Sequence, residues 1–544
     1  MEGKQFGNPR FNRVMSKTAF SGAGVVTSPH WLATEAGRDV LAHGGNAIEA
    51  ALAIGSTLSV VCPHMNGLGG DGFWLACDEQ GRLIGFDGAG PAGGQYSADL
   101  YLSKGLGVIP PRGPLAANTV AGLVSVWSEA HQFGRNQWDG KFSWSELLEP
   151  AEHYASSGFP SSASQHRCLA ERASEFEELD KLFETFAAGS PLAGTAFRQP
   201  LLAATLAKLR DQGADGFYRG ELADLIVAGL QNHGSLLQRE DFANYKSRRV
   251  KPLTCPYQNG MLANMPPPTQ GLASLMILGL IDRFDLASMD HLGAEYVHLV
   301  VEATKAAFSA RDRYISDPDF VQIPTERLLS GGCLDNLANS VSTEKAQPWG
   351  MGVGPGDTVW FGVMDGKGRA VSAIQSIYFE YGSGVMAGET GIVWQNRGFS
   401  FSLKAGEANF LEPGKRPFHT LNPAMYLRNG RPVLVYGAMG GEGQPQTQAA
   451  LATRAINFQL PIDQVVAAPR WLLGRTWGDN SISLKLEKRF SQDVYDNLLA
   501  KGHVLEWVDE FSQLMGHAGA IRLSGSGTME AAADPRCEGS AEGL

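Results

Sequence analysis

In this 544-residue chain, the residues whose types and position most clearly suggest catalytic chemistry are Asp357 and Thr358. Asp357 is the last residue of the segment 345–357, KAQPWGMGVGPGD, and Thr358 follows it directly. The Gly and Pro content of this segment predicts an exposed, flexible connection. A threonine hydroxyl is a weak nucleophile unless a base lies beside it, and a cut before Thr358 would make its own α-amino group that base. An α-amino group titrates near pH 8, close enough to neutrality for the task. By itself this pattern is weak, because a threonine in a strand is more often structural.

The stretches around Thr358 must place it at the start of a strand. TVWFGVMD and RAVSAIQSI alternate on either side of a GKG turn and predict a β-hairpin that begins directly after the loop. Beyond this hairpin, strands and helices are predicted to alternate up to the C-terminus. Near the front, HWLATEAGRDVLAHGG predicts a capped helix, and the next helix, from residue 46 to about 61, is apolar on most faces and predicted to be buried.

The segment between these regions is predicted to begin with a glycine turn in HMNGLGGDGF. Two strands joined by a turn at 78–81 should follow it. From about 119 to 337 the pattern is mainly helical, with a break at MPPPTQG, residues 265–271. No internal repeat or low-complexity tract is visible.

Composition narrows the functional class. The net charge is -11, from 45 Lys and Arg against 56 Asp and Glu, and no basic run offsets it, which argues against a nucleic-acid partner. The N-terminal residues lack a signal-peptide pattern, and the apolar segment 47–61 is too short to span a membrane, so a cytoplasmic protein without membrane contact is expected. The six scattered cysteines predict neither a disulfide framework nor a zinc site.

Ordered motifs along almost the whole chain resemble the γ-glutamyltranspeptidase family of N-terminal-nucleophile hydrolases. The resemblance implies an α+β fold, an αββα sandwich in which two stacked antiparallel sheets lie between helical layers. It also implies a precursor cut into residues 1–357 and 358–544, which stay associated as a heterodimer and use no metal or organic cofactor. The motifs are GGNAIEAALAIG, VCPHMNGLGGDGF, NTVAG, MPPPTQG, DPDF, TVWFGVMDGKGRAVSAIQSIYFEYGSGVMAGETGI, RPFHTLNP, GAMGGEG and DPR.

The same resemblance implies catalytic roles for four residues. Thr358 falls at the family's nucleophile, with the cleavage site between Asp357 and Thr358. Ser376 falls where a hydroxyl group hydrogen-bonds that threonine. Gly440 and Gly441 fall on the paired glycines whose N–H groups form the oxyanion hole, although without Thr358 an ordinary turn would be the preferred interpretation.

The glutamate-binding residues of the transpeptidases do not match. The carboxylate-binding arginine falls in Phe86-Asp87-Gly88, which reverses the local charge, so we expect Asp87 to point away or to pair with a cation. The acidic partner of the substrate amine falls on Ser400, its neighbouring asparagine on Tyr378, and the serine pair on His419 and Thr420. The loop from 402 to 416 is short, and the family's usual lid is expected to be absent.

Although these glutamate-binding residues are missing, the sequence has a positively charged residue, Arg397, that the transpeptidases lack at this position. Arg397, in WQNRGFSFS, could bind a carboxylate together with His419 and Thr420, while Tyr378, Phe379 and Trp394 add bulk. We therefore predict substrate binding by Arg397, His419, Thr420, Tyr378 and Ser400 in a small anion-binding pocket. A packing role remains the alternative for an arginine beside aromatic residues, and a satisfied polar role for a lone histidine. No role is assigned to His64 or His517.

The phrases SIYFEYGSG, TGIVWQNRG, PFHTLNP, GQPQTQAA and PRWLLGRTWG resemble the oxamate amidohydrolase branch of the family most. This implies hydrolysis of a linear amide, oxamate, to oxalate and ammonia, late in purine and allantoin breakdown. Two alternatives stay open: a γ-glutamyl hydrolase, transferase or glutaryl-type acylase, and a catalytically silent relative used for binding. Further pairing of the heterodimer stays open as well.

Overall fold

The computed structural model describes residues 16–176, 185–186, 192–349, 357–474 and 482–544. Most of the predicted connection 345–357 therefore lies outside the described residues, since 350–356 are not among them. Within the described parts of the chain, no helix is both long enough and apolar enough to cross a membrane.

Two seven-stranded sheets, each antiparallel throughout, form the centre of the molecule. One has the strand order β1-β18-β17-β13-β12-β9-β8, and the other has the order β19-β2-β10-β11-β3-β4-β7. Smaller sheets join β14, β15 and β16, and β5 with β6. The strands are β1 (Thr18–Ser21), β2 (Gly24–Ser28), β3 (Asp71–Cys77), β4 (Leu83–Asp87), β5 (Phe159–Pro160), β6 (Ala196–Phe197), β7 (Arg248–Val250), β8 (Leu253–Tyr257), β9 (Gly260–Asn264), β10 (Asp357–Asp365), β11 (Ala370–Tyr378), β12 (Ala424–Arg428), β13 (Arg431–Ala438), β14 (Trp471–Leu473), β15 (Leu484–Glu487), β16 (Leu505–Val508), β17 (Ala518–Leu523), β18 (Met529–Ala533) and β19 (Ser540–Gly543).

Helices cover the outer face of each sheet. One apolar cluster joins the β10 sheet to the helices near the front of the chain, and a second joins the β13 sheet to the helices Gly271–Ile281, Ala294–Tyr314 and Gln444–Ile456. The α-helices are Trp31–Ala42, Ala47–Val61, Ala98–Leu102, Leu123–Gln137, Trp144–Ser157, Ala163–Glu171, Ala173–Phe176, Pro200–Arg219, Glu221–Asn232, Arg239–Ala243, Gly271–Ile281, Ala294–Tyr314, Thr325–Leu328, Gly331–Ser340, Gln444–Ile456, Ile462–Ala467 and Gln492–Ala500. The predicted αββα sandwich is confirmed.

The buried helix predicted from residue 46 spans Ala47–Val61, and every residue in it is buried. Asn46 fixes its first turn, because the Asn46 side chain accepts hydrogen bonds from the N–H groups of Ile48 and Glu49. The Glu49 carboxylate in turn accepts from the N–H of Asn46 at 2.9 Å, which completes a capping box. This helix packs against β10 and β11, the hairpin that carries Thr358.

The mainly helical pattern predicted for residues 119–337 is partly wrong. Strands β7, β8 and β9 occupy much of the stretch from 248 to 264, and β8 and β9 pair next to β12 at one edge of a central sheet. Their residues include Pro256 and Gly260, which interrupt an alternating pattern. Pairing with distant strands overrides the weak local signal here.

A third apolar cluster fills the space between the two central sheets, and Trp360 of β10 lies in it. The Trp360 ring lies over Gly437 of β13 and Gly519 of β17, which are opposite each other in register. A Cβ at either glycine would overlap the ring. These two glycines therefore let the start of β10, two residues before Trp360, lie close to the ends of β13 and β17.

Gly437→Ala should destabilise the protein by about 1–3 kcal/mol, because the added methyl group has no room beside Trp360. The free energy of unfolding in urea measures the effect. Gly525→Ala is the control, since a Cβ there meets nothing within 4 Å. Equal stability of the two variants would contradict this account of the sheet contact.

Candidate active site

Thr358 is the second residue of β10 and is fully buried. The strand register shifts between Asp357 and Val359, so that a bulge lies at the position of Thr358. The hydroxyl oxygen of Thr358 has no hydrogen-bond partner among the described residues. A buried, unsatisfied hydroxyl at an irregular strand start is costly for a purely structural threonine, and it is the state expected of a nucleophile.

Ser376 lies on β11, the strand next to β10, and is also buried. Its hydroxyl oxygen accepts a hydrogen bond from the N–H of Tyr378 at 2.7 Å. On its other side β11 pairs with β3, and there Ser376 is opposite Asp71. The predicted helper hydroxyl is therefore on the strand adjacent to the predicted nucleophile, Thr358.

Gly440 and Gly441 follow the end of β13 and have φ angles of 125° and 51°, a region that favours glycine. Among the described residues, neither N–H group donates a backbone hydrogen bond. Side chains from other elements stabilise this turn. The Gln270 amide donates to the carbonyl of Gly441 at 2.9 Å. Arg311 donates to the Glu442 carboxylate at 2.9 Å. These two glycines can thus present N–H groups to an oxyanion.

Arg397 begins a short 3-10 turn, Arg397–Ser400, and is 1% exposed. Its guanidinium carbon lies 3.7 Å from the centre of the Tyr378 ring, in a cation–π contact. Nη1 donates to the Thr420 hydroxyl at 3.3 Å, whereas Nε and Nη2 are buried without a partner among the described residues. Burial lowers the pKa of Arg397 to about 10, so the group is charged at neutral pH.

His419 lies close to Arg397 but uses both ring nitrogens within the protein. Nε2 is 3.1 Å from the Asp71 carboxylate, and Nδ1 accepts from the N–H of Leu421 at 3.4 Å. Burial, followed by the charge of Arg397, lowers the pKa of His419 well below its usual value. The ring is therefore neutral, with its proton on Nε2.

Ser400 is nearby and buried, and its hydroxyl donates to the carbonyls of Arg397 and Phe418 at 3.0 and 2.9 Å. Ser400 and Phe418 also line a cavity of about 550 Å³. The structure thus brings Arg397, Tyr378, Thr420, His419 and Ser400 together. Within this group, His419 and Ser400 already form hydrogen bonds with other groups of the protein.

Asp87 lies outside this group, at the end of β4. Its carboxylate accepts from Arg416 at 2.9 Å, and Arg416 also binds Asp317 at 2.6 Å. The expectation that Asp87 pairs with a cation is confirmed. Trp394 contributes to the apolar core rather than to the site, because it packs against Phe242 and donates to the carbonyl of Thr119.

Three further residues, Asp71, Gln270 and Gln395, also contribute contacts at the site. Their sequence context predicted no role for them. Asp71 is the first residue of β3, and Gln395 donates to its carboxylate at 3.0 Å. Gln270 donates to the carbonyl of Thr420 at 2.8 Å as well as to that of Gly441. The only sequence signals were the position of Asp71 after a glycine turn and that of Gln270 after MPPPT.

One group of described residues has the spacing of metal ligands: His298, Glu302 and His503. The Lys305 ammonium already binds the Glu302 carboxylate at 2.7 Å. His298 and His503 hydrogen-bond each other at 2.8 Å, and the second nitrogen of His298 is 2.8 Å from the carbonyl of Ser342. The cluster satisfies itself and joins the helix Ala294–Tyr314 to the segment that leads towards residue 349.

Comparison with known proteins adds to this geometry. Residues 33–544 match the model of the gamma-glutamyltranspeptidase family. An oxamate amidohydrolase proenzyme from Klebsiella pneumoniae subsp. pneumoniae is 47% identical over 531 residues, which cover 97% of this chain and 100% of that protein. A glutathione hydrolase-like YwrD proenzyme from Bacillus subtilis (strain 168) is 40% identical and covers the same shares.

Among solved structures, a cephalosporin acylase from Bacillus halodurans superimposes with a TM-score of 0.89 at 31% identity. The match covers 99% of this chain and 100% of that one. Sequence and fold agree over essentially the whole length, and they confirm the predicted resemblance. The chain belongs to the γ-glutamyltranspeptidase family of N-terminal-nucleophile hydrolases.

Proposed function

We propose that this protein is a self-processing amidohydrolase that hydrolyses a small amide bearing a carboxylate, with oxamate as its substrate and oxalate and ammonia as its products. The observation that carries the proposal is the buried guanidinium of Arg397, whose Nε and Nη2 have no partner among the described residues. Nε and Nη2 form one edge of the guanidinium. Their N–H groups are nearly parallel and match the two oxygens of a carboxylate.

Self-processing would begin with attack of the Thr358 hydroxyl on the carbonyl carbon of Asp357. The C–N bond to Thr358 breaks as a C–O ester bond forms, and the nitrogen takes up the hydroxyl proton to become a free amine. Water then hydrolyses the ester. The products are chains 1–357 and 358–544, which remain associated because each central sheet contains strands of both, hydrogen-bonded to one another.

In the mature enzyme the Thr358 amine would accept the hydroxyl proton while the oxygen attacks the amide carbon of the substrate. The N–H groups of Gly440 and Gly441 would stabilise the tetrahedral oxyanion; removal of one such donor typically costs about 3–4 kcal/mol. Ammonia leaves with the proton from the amine. Water then attacks the acyl ester, which releases the acid and restores the Thr358 hydroxyl.

The size of the substrate follows from the surroundings of Arg397. Tyr378 covers one face of the guanidinium, and Thr420 occupies Nη1, so only one edge is open to an anion. Ser400 and His419 fix the adjoining backbone and ring rather than offering a second charge. A single cation with one unpaired edge suits an amide that carries one carboxylate. The oxamate amidohydrolase proenzyme named above supports oxamate itself.

A second candidate is an amide with a longer acid chain, such as a glutaryl or γ-glutamyl group. The likeness to a cephalosporin acylase and to a glutathione hydrolase-like protein favours it. The carboxylate of such a chain could also bind Arg397. However, the neutral Ser400 side chain offers no negative charge to the amino group of a γ-glutamyl substrate, and its hydroxyl already bonds to backbone carbonyls.

Purified protein should give two bands on a denaturing gel, at about 38 and 20 kDa, when the 58.3 kDa chain is cut after residue 357. Thr358→Ala should leave one full-length band and no activity, because no other hydroxyl replaces the nucleophile. Thr304→Ala is the control, since it removes an equally buried hydroxyl within a helix and should be processed. Normal processing of Thr358→Ala would refute the nucleophile assignment.

Ammonia release from oxamate should exceed turnover of a γ-glutamyl anilide and of a glutaryl amide by at least about tenfold in kcat/KM. The reason is that one buried cation matches one nearby carboxylate, and no acidic group is placed for the γ-glutamyl amine. Coupled ammonia detection measures the rates for oxamate and the glutaryl amide, and anilide absorbance measures the rate for the γ-glutamyl anilide. Faster turnover of either longer substrate would replace oxamate with the second candidate.

Arg397→Lys should raise KM for oxamate about tenfold or more, a loss of at least about 1.4 kcal/mol, because an ammonium lacks the two-pronged edge. Processing into two chains should persist, since it does not involve the substrate carboxylate. Arg454→Lys serves as the control; Arg454 is also buried but donates to the carbonyl of Pro469. An unchanged KM in Arg397→Lys would remove Arg397 from the binding site.

A further inference from the structure

The Asp71 carboxylate is fully buried directly across from Ser376, and four groups donate to it. The N–H of Gly122 and the amide of Gln395 donate to Oδ1 at 2.9 and 3.0 Å. The N–H of Gly90 and the Nε2 of His419 lie 3.3 and 3.1 Å from Oδ2. Each oxygen therefore has two donors, and the carboxylate has no position left for a substrate group.

These contacts fit the charged carboxylate. Burial raises the pKa of Asp71 to about 7, while the Gly122, Gln395 and Gly90 donors and the charge of Arg397 act in the opposite direction. A proton on Asp71 would find no acceptor among its four partners, because the Nδ1 of His419 already accepts from Leu421 and its Nε2 carries the hydrogen. The arrangement therefore places a negative charge behind His419, next to the Thr420 that Arg397 contacts.

The negative charge of Asp71 acts on the positively charged guanidinium of Arg397. Within the described part of the chain no carboxylate forms an ion pair with Arg397, yet Asp71 favours its charged form through space. A direct ion pair would occupy the free edge that a substrate needs. Without any nearby negative charge, the protein would hold an uncompensated buried cation, which is strongly unfavourable.

We propose that Asp71 is a positioning residue that sets the preference for an anionic amide: it orients His419 beside Thr420 and balances Arg397 without contacting it. This inference rests on the proposed function, because it assumes that Arg397 binds the substrate carboxylate. The two charges then nearly cancel, with the Nε–Nη2 edge of Arg397 unpaired among the described residues and the Asp71 carboxylate enclosed by its four donors. The Nε–Nη2 edge matches the two oxygens of a carboxylate, whereas the uncharged diamide analogue offers only one acceptor oxygen there, so the anionic amide is preferred.

Asp71→Asn is the sharpest test, because an asparagine amide has nearly the same shape. Whichever way it turns, its NH₂ group faces two donors, either Gly122 and Gln395 or Gly90 and His419. We expect the resulting repulsion to displace His419 and the adjoining Thr420, so that the loss of positioning outweighs the gain in net positive charge. KM for oxamate should then rise at least about tenfold and kcat should change less, while hydrolysis of the neutral diamide oxamide should stay within about threefold. The readout is the ratio of kcat/KM for oxamate to that for oxamide.

Asp87→Asn is the matched control, since Asp87 lies on β4, the strand next to β3, and its buried carboxylate also binds other protein groups. Its ratio should equal that of the wild type. An unchanged ratio in Asp71→Asn would overturn the inference while leaving the proposed function intact. If the wild type hydrolyses neither amide, the proposed function fails, and the inference fails with it.

A second pair of variants covers the case in which Asp71→Asn does not fold. His419→Gln keeps a donor that can reach Asp71, whereas His419→Leu removes it. The proposal requires the oxamate-to-oxamide ratio to fall in His419→Leu and to recover, at least in part, in His419→Gln. The same ratio in both variants would contradict a role for the Asp71–His419 contact.

Discussion

A positive charge that is buried but left open along one edge governs the organisation of this site. Placing an unpaired guanidinium in the interior is unfavourable by several kcal/mol unless neighbouring groups compensate for lost hydration. Here the compensation comes from the Tyr378 ring on one face, the Thr420 hydroxyl at Nη1 and the charge of Asp71 behind His419. None of these occupies Nε or Nη2, so the protein stabilises the cation without blocking it.

The backbone around the cation reflects the same requirement. Tyr378 has a φ of 79°, which is unusual for a non-glycine residue, and it ends the strand that carries Ser376. This turn places the ring beneath Arg397 rather than continuing the alternation of β11. Local strain of this kind persists only where the surroundings determine it, and it is often found at functional sites.

Local sequence signals predicted the elements better than the site. The start of β10 after a loop, the helix Ala47–Val61 and the strands at 71–87 follow from patterns within a few residues. The contacts that define the site join residues far apart in the chain: Asp71 and His419 are 348 positions apart, and Asp87 and Arg416 are 329 apart. Periodicity carries no information about such pairs. The resemblance to a family identified the neighbourhood of Arg397, but not which edge of it is free or which atom of His419 carries the proton.

The two halves of the proposed chemistry occupy separate groups of residues that share one connection. Thr358, Gly440 and Gly441 would serve both self-cleavage and turnover, because both reactions pass through a tetrahedral oxyanion. Arg397 and Thr420 would serve turnover alone, since cleavage of the peptide bond between residues 357 and 358 involves no substrate carboxylate. Gln270 joins the two groups by donating to the carbonyls of Thr420 and Gly441 with one amide nitrogen. Because one side chain bonds to both backbones, the fold sets the distance between the proposed oxyanion hole and the proposed carboxylate-binding residues, and that distance would limit how long the acid part of a substrate can be.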